Sequence, residues 1–280
     1  MLFVSVQGNT NLCQIPRSMK STIVILFCFL ILSFNSFGQE NYKVIKVNGT
    51  IVLKTKGVSL ETGTVFNEKE DLLFRTDDAS AAVINPQKGR LIITSKNHNL
   101  ASASSNYLPA MYNISTRGAF ENPEKLQDIF SGKYVILDRQ QMVIDKSDYP
   151  MDKDHFFFLR YVYKGEEINK KLDYSGDTLI IDKKGLYTVD GQPIPSPDNT
   201  LIRLFYRNGN ESVKLSEFDL IFPDTRQLGA EVKVILESMP NRSPSQKIAE
   251  VKSYISDQYG KINQEDLLSW LEKSFNLKIK

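Results

Sequence analysis

A mainly β protein with helices gathered at its C-terminal end is the fold class this sequence predicts, and three observations carry it. Short apolar stretches separated by Gly, Asn and Pro turns recur from Tyr42 to Phe222. A break of small polar residues near position 100 divides that run into two. From Asp224 onward the apolar residues fall at helical spacing behind capping residues. The expected architecture is therefore a small N-terminal β domain over 39–96, a linker or long loop over 97–120, a second antiparallel β domain over 121–223 with a short leading helix, and a helical segment over 224–280.

The first 38 residues are read as a signal peptide. The stretch STIVILFCFLILSFNSFGQE has an apolar core of ten residues, Ile23 to Leu32. Crossing ~30 Å of hydrocarbon takes ~20 apolar residues, so this core is too short for a span. It does match the ~7–15-residue apolar region of a secretory signal. Arg17 and Lys20 supply its positive end, and Ser36-Phe37-Gly38 places small residues where a signal peptidase requires them. Met19 is the expected true start and Gln39 the expected first mature residue. The expected product is exported, periplasmic or extracellular, and soluble with no membrane span once the signal is removed.

Removal of that segment changes the charge and the redox chemistry. Arg17 and Lys20 leave and no acid does, so 35 basic residues become 33 against 33 acidic ones. A neutral chain without a basic block argues against nucleic acid as a partner, because phosphate binding runs on clustered Lys and Arg. Cys13 and Cys28 leave as well, and with them disulfides, thiolate catalysis and Cys-ligated zinc.

Taken in order, the elements justify the fold class. Asn48-Gly49 between KVIKV and TIVLK signals a hairpin, since both central turn residues need positive φ. Asn85-Pro86-Gln87-Lys88-Gly89 turns an alanine-rich strand into RLIIT. The aperiodic stretch from His98 to Gly118 is either a linker or an ordered binding loop, with Tyr112 and Arg117 as its most capable side chains. Asn122-Pro123-Glu124 opens a short helix ending at Gly132. KYVILD and QMVID are expected to pair around Arg139-Gln140. HFFFLRYVYK is apolar on both faces at its start, as a central strand would be. TLIID, LYTVDG, LIRLFY and VKLSEFDLIF complete the second β domain. Capping signatures at Asp224, Ser243 and Asn263 then open three helices, the second ended by Gly260. Trp270 falls on the last helix away from the Leu267–Leu271 line, which makes it a candidate contact residue if exposed.

There is no Gly-rich phosphate loop, HExxH or G-x-S-x-G pattern, and no regular metal-ligand spacing. The two histidines, His98 and His155, pair with no nucleophile on sequence grounds. Asp145, Asp148, Asp152 and Asp154 crowd one stretch, but Lys146 and Lys153 dilute it and the spacing fits no EF-hand. Tyr161 and Tyr163 share a strand face with His155, Phe157 and Leu159; that face is either an aromatic platform for glycans or core, and core is favoured because the strand is too apolar for an edge. No cofactor and no catalytic residue is expected.

Gly49-Thr50-Ile51, Leu60-Glu61-Thr62-Gly63, Leu72-Leu73-Phe74, Ala79-Ser80-Ala81-Ala82-Val83 and Pro86-Gln87-Lys88-Gly89 together resemble the FecR-type periplasmic domain over residues 42–94. The resemblance implies a β-rich, extracytoplasmic module that acts by contacting other proteins. The functional expectation is a non-enzymatic interaction protein of the bacterial envelope, binding another envelope or secreted protein or a glycan, with Tyr112, Arg117 and Trp270 as candidate binding residues. Two alternatives stay open: an envelope hydrolase using carboxylates such as Asp152 and Asp154, and a sensor whose small ligand lodges between the two β domains.

Overall fold

The chain crosses between sheets more often than its turn signals suggest, and that crossing joins its parts. A computed structural model describes residues 41–98, 107–108, 126–195 and 198–278. The expected signal peptide, Met19, Tyr112 and Arg117 lie outside the described residues. The protein is mostly β with C-terminal helices, as the patterning predicts.

Strand β1 (Asn41–Asn48) does not form a hairpin with β2 (Ile51–Leu53), contrary to the Asn-Gly signal. It pairs instead with β4 (Val65–Asn67) and β6 (Ser80–Asn85), in a five-stranded sheet continued by β7 (Gly89–Thr94) and β8 (Tyr107–Leu108). β2 pairs with β3 (Val58–Ser59) and β5 (Leu72–Phe74) in a separate three-stranded sheet. Gly49, at φ 71°, thus makes a corner between two sheets. A Cβ there would meet the Thr76 hydroxyl at 2.3 Å, so the corner needs glycine for close approach as well as for φ. The Asn85–Gly89 turn is the expected hairpin, and the Asn85 side chain accepts the amides of Gln87 and Lys88.

The five-stranded sheet is buried on both faces. Val44, Ala81, Val83 and Ile93 pack with Ile51, Leu53 and Leu60 of the small sheet side. Ile45, Ala82 and Ile84, on the opposite parity, pack under helices α3 (Thr225–Glu237), α4 (Pro244–Gln258) and α5 (Gln264–Phe275). β6 is therefore buried at five consecutive positions, Ala81 to Asn85. The caps fall where the sequence places them. Asp224 accepts the amides of Arg226 and Gln227, Ser243 and Gln246 close a full capping box, and Asn263 accepts from Glu265 and Asp266. The Asp224 cap is only half a box: the Gln227 side chain turns along the helix, and its Nε2 donates to the buried Glu231.

The second β unit begins after α1 (Leu126–Ile129). Strands β9 (Gly132–Val135) and β10 (Arg139–Val143) do not pair as expected; a turn at Asp138, φ 69°, sends them to different sheets. β10 joins β13 (Asp173–Ser175) and β14 (Thr178–Asp182) in a three-stranded sheet. β9 enters a six-stranded sheet with β11 (His155–Tyr163), β12 (Glu166–Lys171), β17 (Asp198–Asn208), β18 (Glu211–Ile221) and β19 (Lys261–Ile262), in the order β12-β11-β17-β18-β9-β19. Between β14 and β17 lie α2 (Lys183–Leu186) and a short ribbon of β15 (Thr188–Val189) and β16 (Gln192–Pro193). The core of this unit holds Phe157, Leu159 and Tyr161 of β11, Ile202 and Leu204 of β17, and Leu179 and Ile181 of β14.

β19 belongs to the segment read as wholly helical. It lies between α4 and α5 and pairs in parallel with β9. Gly260, at φ 134°, brings it in: a Cβ there would meet the Lys133 carbonyl at 2.4 Å. The helices thus pack on the first β unit while β19 between them extends the sheet of the second, and the described residues group as one compact unit.

A buried polar seam fixes the helices to the first sheet. Arg90 of β7 is wholly buried; its guanidinium donates to Glu250 (Nε–Oε1 2.8 Å), to Asp257 (Nη2–Oδ2 2.8 Å) and to the Ser253 hydroxyl. Glu231 of α3, also buried, accepts from the hydroxyls of Tyr254 and Tyr259, at 2.8 and 2.7 Å. Burial and that carboxylate push both tyrosine hydroxyls well above their ordinary range. Lys46 of β1 lies 3.8 Å from the centre of the Tyr259 ring, and burial lowers its pKa.

Candidate functional site

The outward face of the six-stranded sheet carries a cluster of aromatic and cationic side chains. Alternation along β11 sends His155, Phe157, Leu159, Tyr161 and Tyr163 to one side and Phe156, Phe158, Arg160 and Val162 to the other. Phe157, Leu159, Tyr161 and Tyr163 pack into or against the core, with the Tyr161 hydroxyl donating to the Leu186 carbonyl. Core packing is thus the fate of Phe157, Leu159 and Tyr161, as their apolarity favours, and the aromatic surface lies on the other parity.

Register places that surface in rows across the strands. Lys171 of β12, Phe158 of β11, Phe205 of β17 and Lys214 of β18 form one row. Asn169, Arg160, Arg203 and Glu217 form the next, and Phe156, Arg207 and Ser212 lie on the other side. The Phe158 and Phe205 rings stack face to face, 4.9 Å apart with planes 6° from parallel. The Arg160 guanidinium covers the Phe205 ring at 4.6 Å and the Lys171 ammonium covers Phe156 at 4.0 Å.

The ion pairs of this face are unevenly spent. Glu167 of β12 bonds Arg203 and lies 3.6 Å from Arg160, so one carboxylate holds two guanidinium groups. The Arg203 hydrogen bond, aided by both positive charges, holds the Glu167 carboxyl below its usual range. Lys214 reaches Glu217 at 3.4 Å and Lys153 reaches Asp154 at 3.8 Å. Among the described residues Lys171 and Arg207 have no carboxylate partner; Arg207 donates to the Ser212 hydroxyl at 3.2 Å. An open trough of about 600 Å³ runs over Phe156 and Phe158 and is lined by Arg160, Lys171 and Arg207, by the Lys153–Asp154 pair, and by Asn169, Asn210 and Ser212. That volume falls in the range of ligand sites, roughly 300–1,000 Å³.

Other expected centres resolve differently. The His155 ring Nδ1, 2.9 Å from Asp152, and then the amides of Asp154 and His155 bond the Asp152 carboxylate, which holds its carboxyl below the usual range. That carboxylate shapes the turn into β11 and is fully engaged. His98 is exposed, contacts the Ser95 carbonyl at 2.9 Å and tilts against Phe74. Trp270 is half-buried, edge-on to Phe275 at 5.5 Å in the helical cluster, away from this face. Among the described residues no helix is long and apolar enough to cross a membrane, and no group of three or more His, Cys, Asp or Glu side chains is placed to hold a metal ion.

Sequence reasoning passed over Phe156, Phe158, Phe205, Arg160, Arg203, Arg207 and Lys171 as site residues. A signal was present: Phe156-x-Phe158-x-Arg160 and Arg203-x-Phe205-x-Arg207 place aromatic and cationic residues on one parity of two strands. Comparison with family models, with curated proteins and with solved structures finds no match to this chain. The likeness of residues 42–94 to FecR-type domains therefore rests on the residues that suggest it.

Proposed function

We propose that this chain is an exported, non-enzymatic binding protein of the bacterial envelope, and that the cation-rich outer face of the six-stranded sheet is its recognition surface for a glycan or another envelope protein. The observation that carries this reading is the pairing of an open trough with two cations, Lys171 and Arg207, left without carboxylates in the described structure. The signal-peptide reading of residues 1–38 and the FecR-type likeness support the location and the non-enzymatic role. The hydrolase alternative draws nothing from Asp152, whose carboxylate is engaged by its own turn. A sensor with a ligand between the β units draws little from a structure whose helices fill the space against the first sheet.

The test is retention of purified residues 39–280 on washed envelope fractions, for the unaltered protein and for Lys171→Glu/Arg207→Glu. Lys171 is exposed, Arg207 is half-buried and neither belongs to a core, so the variant should melt at the unaltered temperature. Retention that falls at least tenfold in the variant is the expected result. Equal retention of both proteins would remove this face from the function.

A further inference from the structure

We propose that the ligand of this face is an acidic oligosaccharide, a chain of sugars carrying carboxylate groups; the inference rests on the reading of the sheet face as the recognition surface. Three features of the trough select that chemistry. First, the aromatic rings are already covered: Phe158 and Phe205 cover one another, Arg160 covers Phe205, and Lys171 covers Phe156. Phe158 keeps only 7% of its surface exposed, and the other two rings are half-buried beneath their partners, so little open ring face is left. The ammonium and guanidinium groups that cover the rings make a surface for an anion.

Second, the positive charge is not neutralised within the face. Glu167 is held by Arg160 and Arg203, which leaves Lys171 and Arg207 to meet a ligand's charge. The Lys171 ammonium lies over Phe156, the cross-strand neighbour of Arg207, so the two cations flank one ring. Carboxylates on neighbouring units of a polymer meet both cations without bending either strand.

Third, neutral polar groups line the trough beside the exposed Lys153–Asp154 pair. Asn210 offers both donors and an acceptor, Asn169 offers its donors while its Oδ1 accepts the Arg160 Nε–H at 2.6 Å, and Ser212 offers a hydroxyl, the groups that sugar hydroxyls pair with. Single-stranded nucleic acid fits less well, because its bases need open ring faces to stack on. An acidic peptide would meet the same two cations, and the hydroxyl-pairing groups beside them favour the sugar over it.

Isothermal titration of residues 39–280 with a defined oligogalacturonate decides the matter. Neutral oligosaccharide of the same length, poly-glutamate and oligo-deoxythymidine serve as the other arms. The expected result is binding of oligogalacturonate alone, weakened by added salt and reduced about tenfold by Lys171→Gln or Arg207→Gln singly, since each removes one charge-assisted contact. An unchanged melting temperature shows that the variants fold. Binding that the two variants leave intact overturns the site. Equal or tighter binding of poly-glutamate, of oligo-deoxythymidine or of the neutral sugar overturns the ligand class. If oligogalacturonate fails while retention on envelope fractions still depends on Lys171 and Arg207, the recognition surface stands and the acidic sugar does not.

Discussion

At the scale of single residues, burial sets the unusual chemistry. Asp266, in the first turn of α5, sits where a helix end would favour its charge, yet desolvation, with Glu265 adding like charge, pushes its pKa up to about 6 from 3.8. The folded state therefore prefers the neutral acid. Below the unfolded pKa near 3.8 the group is protonated in both states, and the fold keeps that advantage in full. As pH rises toward about 6 the unfolded chain ionises first, so stability is lost through that window. Asp266→Asn should thus raise the melting temperature at pH about 7 and leave it unchanged near pH 3.5. Melting curves of both proteins across that range check this; a difference independent of pH would mean that Asp266 acts through packing instead. Nothing in the sequence announces this shift, since Asn263-Gln264-Glu265-Asp266 reads as an ordinary capped helix start. It arises from burial that only the tertiary fold imposes.

At the scale of elements, the decisive contact is the one between β7 and α4. Two kinds of charged contact tie the helices to the first sheet, and their burial separates them. Lys43 to Glu237, at 2.6 Å, joins side chains that are 28% and 47% exposed, and such a pair is worth about 0–1 kcal/mol. Arg90 to Glu250, at 2.8 Å, joins side chains that are 0% and 4% exposed. Removing one partner there strands a buried charge and costs about 3–5 kcal/mol. Arg90→Ala should therefore lower unfolding stability by about that amount in urea titration, and Lys43→Ala by under about 1 kcal/mol. Similar losses from both would show that the seam is wetter than its burial implies. Strand and helix identities were legible, because alternation, caps and turn residues are local. The pairings β1 with β2 and β9 with β10 were misread for the same reason: a tight turn fixes a change of direction and not the sheet that the next strand joins. The Arg90–Glu250 contact spans 160 positions, and no periodicity records it.

At the scale of the whole molecule, the helices decide whether the two β units are separable. An apolar strand pattern and a polar stretch near position 100 suggest an independent first domain. Yet Ile45, Ala82 and Ile84 of that sheet are at most 3% exposed, and their cover is Leu228, Val232, Ile235, Ile248, Val251 and Ile255 of α3 and α4. Val135 of β9 joins the same cluster, and β19 inserts beside β9. Each fully buried aliphatic side chain contributes about 1.5–3 kcal/mol relative to exposure, so uncovering this face would cost more than a small sheet of short strands recovers alone. Three cores that share helices and strands have no surface along which one could melt first. Residues 39–280 should unfold in one calorimetric transition, with calorimetric and van't Hoff enthalpies equal. Residues 39–96 alone should show no cooperative transition, because the face that α3 and α4 cover would meet water. Two resolved transitions in the long chain, or a cooperative melt in the short one, would return the first β unit to the independent domain its sequence suggests, and would make the C-terminal helices a separable lid over it.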